Sequence, residues 1–146
     1  TCALPISADY VVYLMSRFSE FNESPIKDKV KQLILGTAIS EHLSEKEQTP
    51  LQDILLDADL VAMADPYHEF ERTQLSILAE NIGDSSSIPK MKGFLQLFLD
   101  KKRIYRCDNT FEHSARTNIE TFLNSDNDQL AQKLQNYYIE AAINAD

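Results

Sequence analysis

The sequence predicts an all-α, single-domain bundle of about seven helices. Three observations carry this. Only three glycines and five prolines occur in 146 residues, too few for the frequent tight turns of an all-β chain. Apolar residues recur at spacings of three and four rather than two. Several segments also open on a hydroxyl or carboxylate followed by proline, a combination that starts helices.

The elements follow in order. Ser7 is placed to cap a first helix, whose stripe is Val11, Leu14, Met15, Phe18 and Phe21. Ser24-Pro25 opens a second, with Ile26, Val30, Leu33, Ile34 and Thr37 on one side. The polar stretch Ser44 to Gln48 reads as a loop. Thr49-Pro50-Leu51-Gln52 then carries a capping hydroxyl, a first-turn proline and the glutamine of a capping box. The helix it opens has one face of Leu51, Ile54, Leu55, Ala58 and Ala62, with Leu56 and Leu60 opposite. Apolar on most sides, it is expected to be central and buried.

Asp65-Pro66 repeats the start signal, and Tyr67, Phe70, Leu75, Leu78 and Ile82 follow before Gly83, a C-terminal stop. Asp84 to Ser87 reads as a turn. The next helix spans about Pro89 to Lys102 and turns Met91, Leu95, Phe98 and Leu99 inward; its closing basic residues suit the negative end of a helix. Ile104 to Asp108 reads as extended. A helix over about Phe111 to Leu123 shows Phe111, Ala115, Ile119 and Phe122 on one side. Asp126 with Gln129 opens the last helix, whose stripe is Leu130, Leu134, Tyr137, Tyr138 and Ala141. No internal repeat, low-complexity tract or long linker interrupts the chain.

A net charge of -9 repels phosphate backbones and argues against nucleic-acid binding and against docking on anionic membranes. No apolar run approaches the roughly 20 residues of a membrane span. Cys2 and Cys107 lack metal or redox spacing, so a reducing cytoplasm is the expected compartment. The opening Thr1-Cys2-Ala3-Leu4-Pro5-Ile6-Ser7 has no signal-peptide pattern and reads like a translated sequencing adapter. Residues 1–7 are therefore expected to be a non-native leader, and residues 8–146 the protein's own sequence.

Among residues that could carry chemistry, Asp57 and Asp59 stand out, two carboxylates in an otherwise apolar helix. A buried carboxylate needs a cation, a donor or a route to water. Residues two apart on a helix point about 160° from each other, so the pair does not readily share one metal. On residue chemistry alone, both read as structural. An EF-hand reading fails because Ala62 stands where glycine is required. His42, His68 and His113 lie far apart and read as surface histidines. No phosphate-binding glycine loop and no nucleophile elbow occurs. Arg72, and Arg103 within the basic run from Lys101 to Arg106, are candidate phosphate-binding residues. No catalytic residue is assigned.

Leu55 to Leu60 (LLDADL), then Arg72, then Phe98 to Cys107 (FLDKKRIYRC), then Phe111 and Ala115 to Asn118 (ARTN) follow one another in an order that resembles a known family. It is similar to the C-terminal half of the metal-dependent phosphohydrolases of the HD superfamily, over roughly residues 8–124. The resemblance implies an all-α fold and a divalent metal held by a His, a His-Asp pair and a later Asp. That last ligand maps onto Asp59, with Asp57 the second choice. The other ligands would lie upstream of residue 8. The resemblance therefore implies a truncated enzyme acting on a small phosphorylated molecule or nucleotide, with no metal held and no turnover by this chain alone. Three departures are visible: His42 is displaced from a usual His position near Ser40, Gln74-Leu75 replaces an acidic-aromatic pair, and no glycine occurs from Val61 to Asp65. They motivate the alternative of a non-catalytic helical interaction or nucleotide-binding regulatory module.

Overall fold

The computed structural model describes residues 4–18, 21, 25–80, 86–107 and 109–143. Among them every regular element is helical and none is a strand, as the sequence predicts. The helices are α1 (Leu4–Met15), α2 (Ile26–Leu35), α3 (Ile39–Leu43), α4 (Pro50–Asp59), α5 (Tyr67–Glu80), α6 (Ser87–Leu99), α7 (Glu112–Asn124) and α8 (Asn127–Ile143), with a 3-10 turn over Val61–Ala64. They fall into two compact units, Thr1–Asp59 and Leu60–Asp146.

In the first unit α1 packs on α2. α1 begins at Leu4, so Ser7 lies within its first turn instead of before it. Ser24 is outside the described residues, and α2 opens at Pro25 without a side-chain cap. The stripe expected to run through Thr37 instead breaks at Gly36, and a separate short α3 follows. This adds an eighth helix to the expected seven. Thr49 caps α4 as expected, accepting from the Gln52 N–H at 3.3 Å. The Gln52 side chain does not return to the cap. It is buried and donates to the Leu33 carbonyl at 3.5 Å.

The interior of this unit departs from the expected pattern. On α4 the buried residues are Gln52 and Leu56, while Leu51 and Ile54 are exposed. The inward face is therefore the one at 52 and 56, one turn apart, and not the longer apolar stripe. Counting apolar residues favours the wrong face here because two of the side chains that fill this interior, His42 and Gln52, are polar.

Gly36 sits against Gln52. Its φ of -72° suits any residue, but an added Cβ would lie 2.5 Å from the Gln52 Oε1 and 2.7 Å from its Cδ. Gly36→Ala is thus expected to push the Gln52 amide off the Leu33 carbonyl and cost about 1 kcal/mol. An ordinary glycine replacement with compatible φ stabilises instead. The urea midpoint distinguishes the two signs.

The second unit has a conventional apolar core. Phe70 of α5 meets Phe122 of α7 edge to face, with centroids 6.1 Å apart. Ile88, Met91, Leu95 and Phe98 line the inner side of α6. Leu130 and Leu134 of α8 are buried as expected, whereas the side chains of Tyr138 and Ala141 lie outside the described residues. Ile82 and Gly83 are also outside them. Asp126 caps α8 through its Oδ1, which accepts from the N–H groups of Asp128 at 2.9 Å and Gln129 at 3.0 Å. Phe111, expected on one side with Ala115, Ile119 and Phe122, stands at the N-cap of α7 and is exposed while the other three are buried.

The connection from α6 to α7 is bent rather than extended, and two side chains of α7 hold it. The Glu112 carboxylate accepts from the Ile104 N–H at 3.0 Å and the Tyr105 N–H at 3.2 Å. Arg116 donates to the carbonyls of Leu99, Lys101 and Lys102 and, through Nε, to Glu112 Oε1 at 2.7 Å. The Leu99 carbonyl closes α6, where the intrahelical ladder leaves acceptors without partners, and the other two lie in the connection just after it. Asn118, also on α7, is buried and donates from Nδ2 to the carbonyls of Met63 at 2.9 Å and Asp65 at 2.7 Å. It fixes the 3-10 turn and the entry into α5. Tyr105 adds a buried hydroxyl that donates to the Leu60 carbonyl at 2.9 Å.

Candidate functional site

Asp59 is the last residue of α4, not a residue of its middle. A carboxylate there faces the negative end of the helix dipole and needs a compensating donor. The donor is His42 of α3, whose Nε2 lies 2.8 Å from Asp59 Oδ2. The two side chains differ sharply in burial. That of His42 is 1% exposed and that of Asp59 is 55% exposed. A fixed imidazole thus holds an accessible carboxylate.

This geometry revises two expectations. Asp59 does not project from a buried central helix, because α4 carries exposed Leu51 and Ile54 and ends at Asp59. His42 is not a surface histidine, because its side chain is buried and lies against Asp59. His68 and His113 are exposed as expected. The spacing of seventeen residues between His42 and Asp59 matches no local motif. Only the fold of the first unit makes them neighbours.

Asp57 is half-buried on α4. Arg72 lies exposed on α5, and Arg103 lies exposed in the connection that Glu112 and Arg116 hold. Both arginines belong to the second unit and both aspartates to the first. A cavity of about 520 Å³ in the first unit is lined by Lys29, Gln32, Leu33, Gln48, Leu51 and Gln52 among others. One of about 410 Å³ in the second is lined by Asp65, Tyr67, His113, Ser114, Thr117 and Asn118. Neither contains Asp57, Asp59, Arg72 or Arg103.

An imidazole nitrogen and a carboxylate oxygen are suitable donors for a divalent transition metal. Two donors do not complete a site, and among the described residues no three His, Cys, Asp or Glu side chains stand together to hold a metal. The fit to a divalent cation is partial, and no hydrolytic step follows from it.

The carboxylate with the clearest displacement in acidity is elsewhere. Burial pushes the Glu112 carboxyl up, but the N–H groups of Ile104 and Tyr105 and the Arg116 guanidinium outweigh that and hold it below its ordinary value. Its partners are all part of the scaffold. Among the described residues no helix is long and apolar enough to cross a membrane. Compared with models of known protein families, with curated proteins and with solved structures, the chain matches none.

Proposed function

We propose that this chain is part of a metal-dependent phosphohydrolase of the HD type and contributes Asp59 to its divalent-cation site. His42 acts there as a positioning residue. The observation that carries the reading is the 2.8 Å contact between a buried imidazole and an accessible carboxylate. A hydrogen bond of this kind fixes the direction of a ligating carboxylate and tunes its basicity. A bound divalent ion would supply Lewis-acid chemistry toward a phosphoryl group. The substrate class in this reading is a small phosphorylated molecule or nucleotide, with Arg72 and Arg103 as its phosphate-binding candidates. The chain alone supplies too few ligands for turnover.

Calorimetric titration with Mn²⁺ tests the assignment. A single carboxylate ligand leaves most of the coordination sphere to water, so binding on the order of millimolar or weaker is expected. Asp59→Ala should abolish it, and Asp57→Ala should leave it within about twofold. Binding unchanged in Asp59→Ala removes Asp59 from the site. A second reading, a non-catalytic helical interaction module, is favoured by the shortage of donors among the described residues and by the exposed apolar side chains of the first unit. Wild-type protein that takes up no Mn²⁺ supports that reading.

A further inference from the structure

The first unit keeps little apolar surface inside. Among its described residues, the buried ones are Ala8, His42, Gln52 and Leu56, while Tyr10, Tyr13, Leu14, Phe18, Ile26, Ile39, Leu51 and Ile54 are exposed. On α1 this exposure is ordered. Ala8 is buried and Val11, Val12 and Met15 are half-buried, whereas Tyr10, Tyr13, Leu14, Arg17 and Phe18 are exposed. The exposed set has the spacing three, one, three, one, which places it on one face of a helix. The backbone carries that face past Met15, because the N–H groups of Ser16, Arg17 and Phe18 still bond back to Val12, Leu14 and Met15.

The face is organised as well as apolar. The Tyr10 and Tyr13 rings stack with centroids 6.3 Å apart and 27° between planes. The Arg17 guanidinium lies 6.0 Å from the Tyr13 ring centre, and its Nη1 donates to the Tyr13 hydroxyl at 3.4 Å. Stacking and cation–π contact hold three long side chains in place before any partner arrives, which lowers the entropy lost on binding. Tyrosine, phenylalanine and arginine are also the residues that dominate the energy of protein interfaces.

We propose that this face of α1 is the contact surface between two copies of the chain, paired antiparallel about a two-fold axis near Tyr13 and Leu14. The pattern is self-complementary. An axis there sets Tyr10 of each copy against Arg17 of the other and Tyr13 against Leu14. The area agrees with a weak dimer. With Tyr10, Tyr13 and Phe18 each more than half exposed, the five side chains present about 500 Å² per copy, so about 1,000 Å² would be buried in total, near the lower bound for a specific interface. The net charge of -9 on each copy opposes association, so the dimer should tighten as salt is added. The proposal is independent of the metal reading.

Sedimentation velocity over a range of protein concentrations tests it. The expected result is a monomer–dimer equilibrium that strengthens with salt. Tyr13→Glu and Phe18→Glu should each weaken it by about tenfold or more, and Val61→Glu, at an exposed apolar side chain of the second unit, should leave it unchanged. A chain that stays monomeric at every concentration overturns the proposal. So does a dimer indifferent to both α1 variants, which would place the contact on another face. If a variant fails to fold, hydrogen exchange of the wild type decides: protection over residues 10–18 that rises with concentration supports the pairing. Protection independent of concentration overturns it and identifies a cover within the same chain.

Discussion

Replacing Glu112 with alanine is expected to destabilise the second unit by about 3 kcal/mol, because two backbone N–H groups lose their acceptor together. The residues carrying those groups, Ile104 and Tyr105, are both buried. Arg116 loses its anionic partner at the same time. The Glu112 side chain is only 17% exposed, so water does not readily replace it. The loss should also depend on pH with a definite sign. A carboxyl with a depressed folded-state pKa contributes stability that is complete above its unfolded value and disappears as pH falls through the folded one. The advantage of wild type over Glu112→Gln should therefore be constant above the ordinary value of 4.5 and shrink below it. Urea unfolding of both proteins across that range checks the prediction. A difference independent of pH would show that the carboxylate charge contributes nothing.

Asn118 gives the second large effect. Its amide nitrogen faces two carbonyl oxygens, an arrangement only a double donor satisfies. Asn118→Ala should cost about 2 kcal/mol by stranding both acceptors. Asn118→Asp nearly preserves shape but turns oxygens toward oxygens, and should cost more at neutral pH than the smaller alanine. That inverted order, read from denaturation midpoints, separates loss of a donor from loss of volume. Equal costs would mean that packing, not hydrogen bonding, fixes the turn at Val61–Ala64.

These two residues bear on what the sequence can reveal. The run from Ala115 to Asn118 and the segment from Phe98 to Cys107 carry much of the likeness to the HD superfamily. In the structure they form a scaffold. Ala115 is buried, Arg116 and Glu112 hold the end of α6, and Asn118 holds the entry to α5. Residues with such scaffold roles say nothing by themselves about chemistry. Their individual tasks were not legible, because an arginine or asparagine on a helix face gives no sign of which distant carbonyl it will reach.

The helices themselves were legible where a start signal accompanied the apolar stripe. Thr49-Pro50, Asp65-Pro66 and Asp126 each stand at or beside the start of the expected helix. Periodicity failed on α4, which has two apolar faces and buries the shorter one. It failed for a reason that also hid the candidate site: His42 and Gln52 are polar and buried, and a count of apolar residues treats both as surface. The break between α2 and α3 was missed because Ile26 to Thr37 keeps one stripe through Gly36. Asp59 was noticeable as a charge among leucines, but its partner was not, since no local spacing joins α3 to the end of α4.

We propose above that Asp59, positioned by His42, faces a divalent cation. Paramagnetic broadening by Mn²⁺ in the NMR spectrum locates such an ion directly. The expected result is broadening centred on the His42 ring and the residues around Asp59, abolished in Asp59→Ala. Broadening spread over the acidic surface, or the same in that variant, would contradict it.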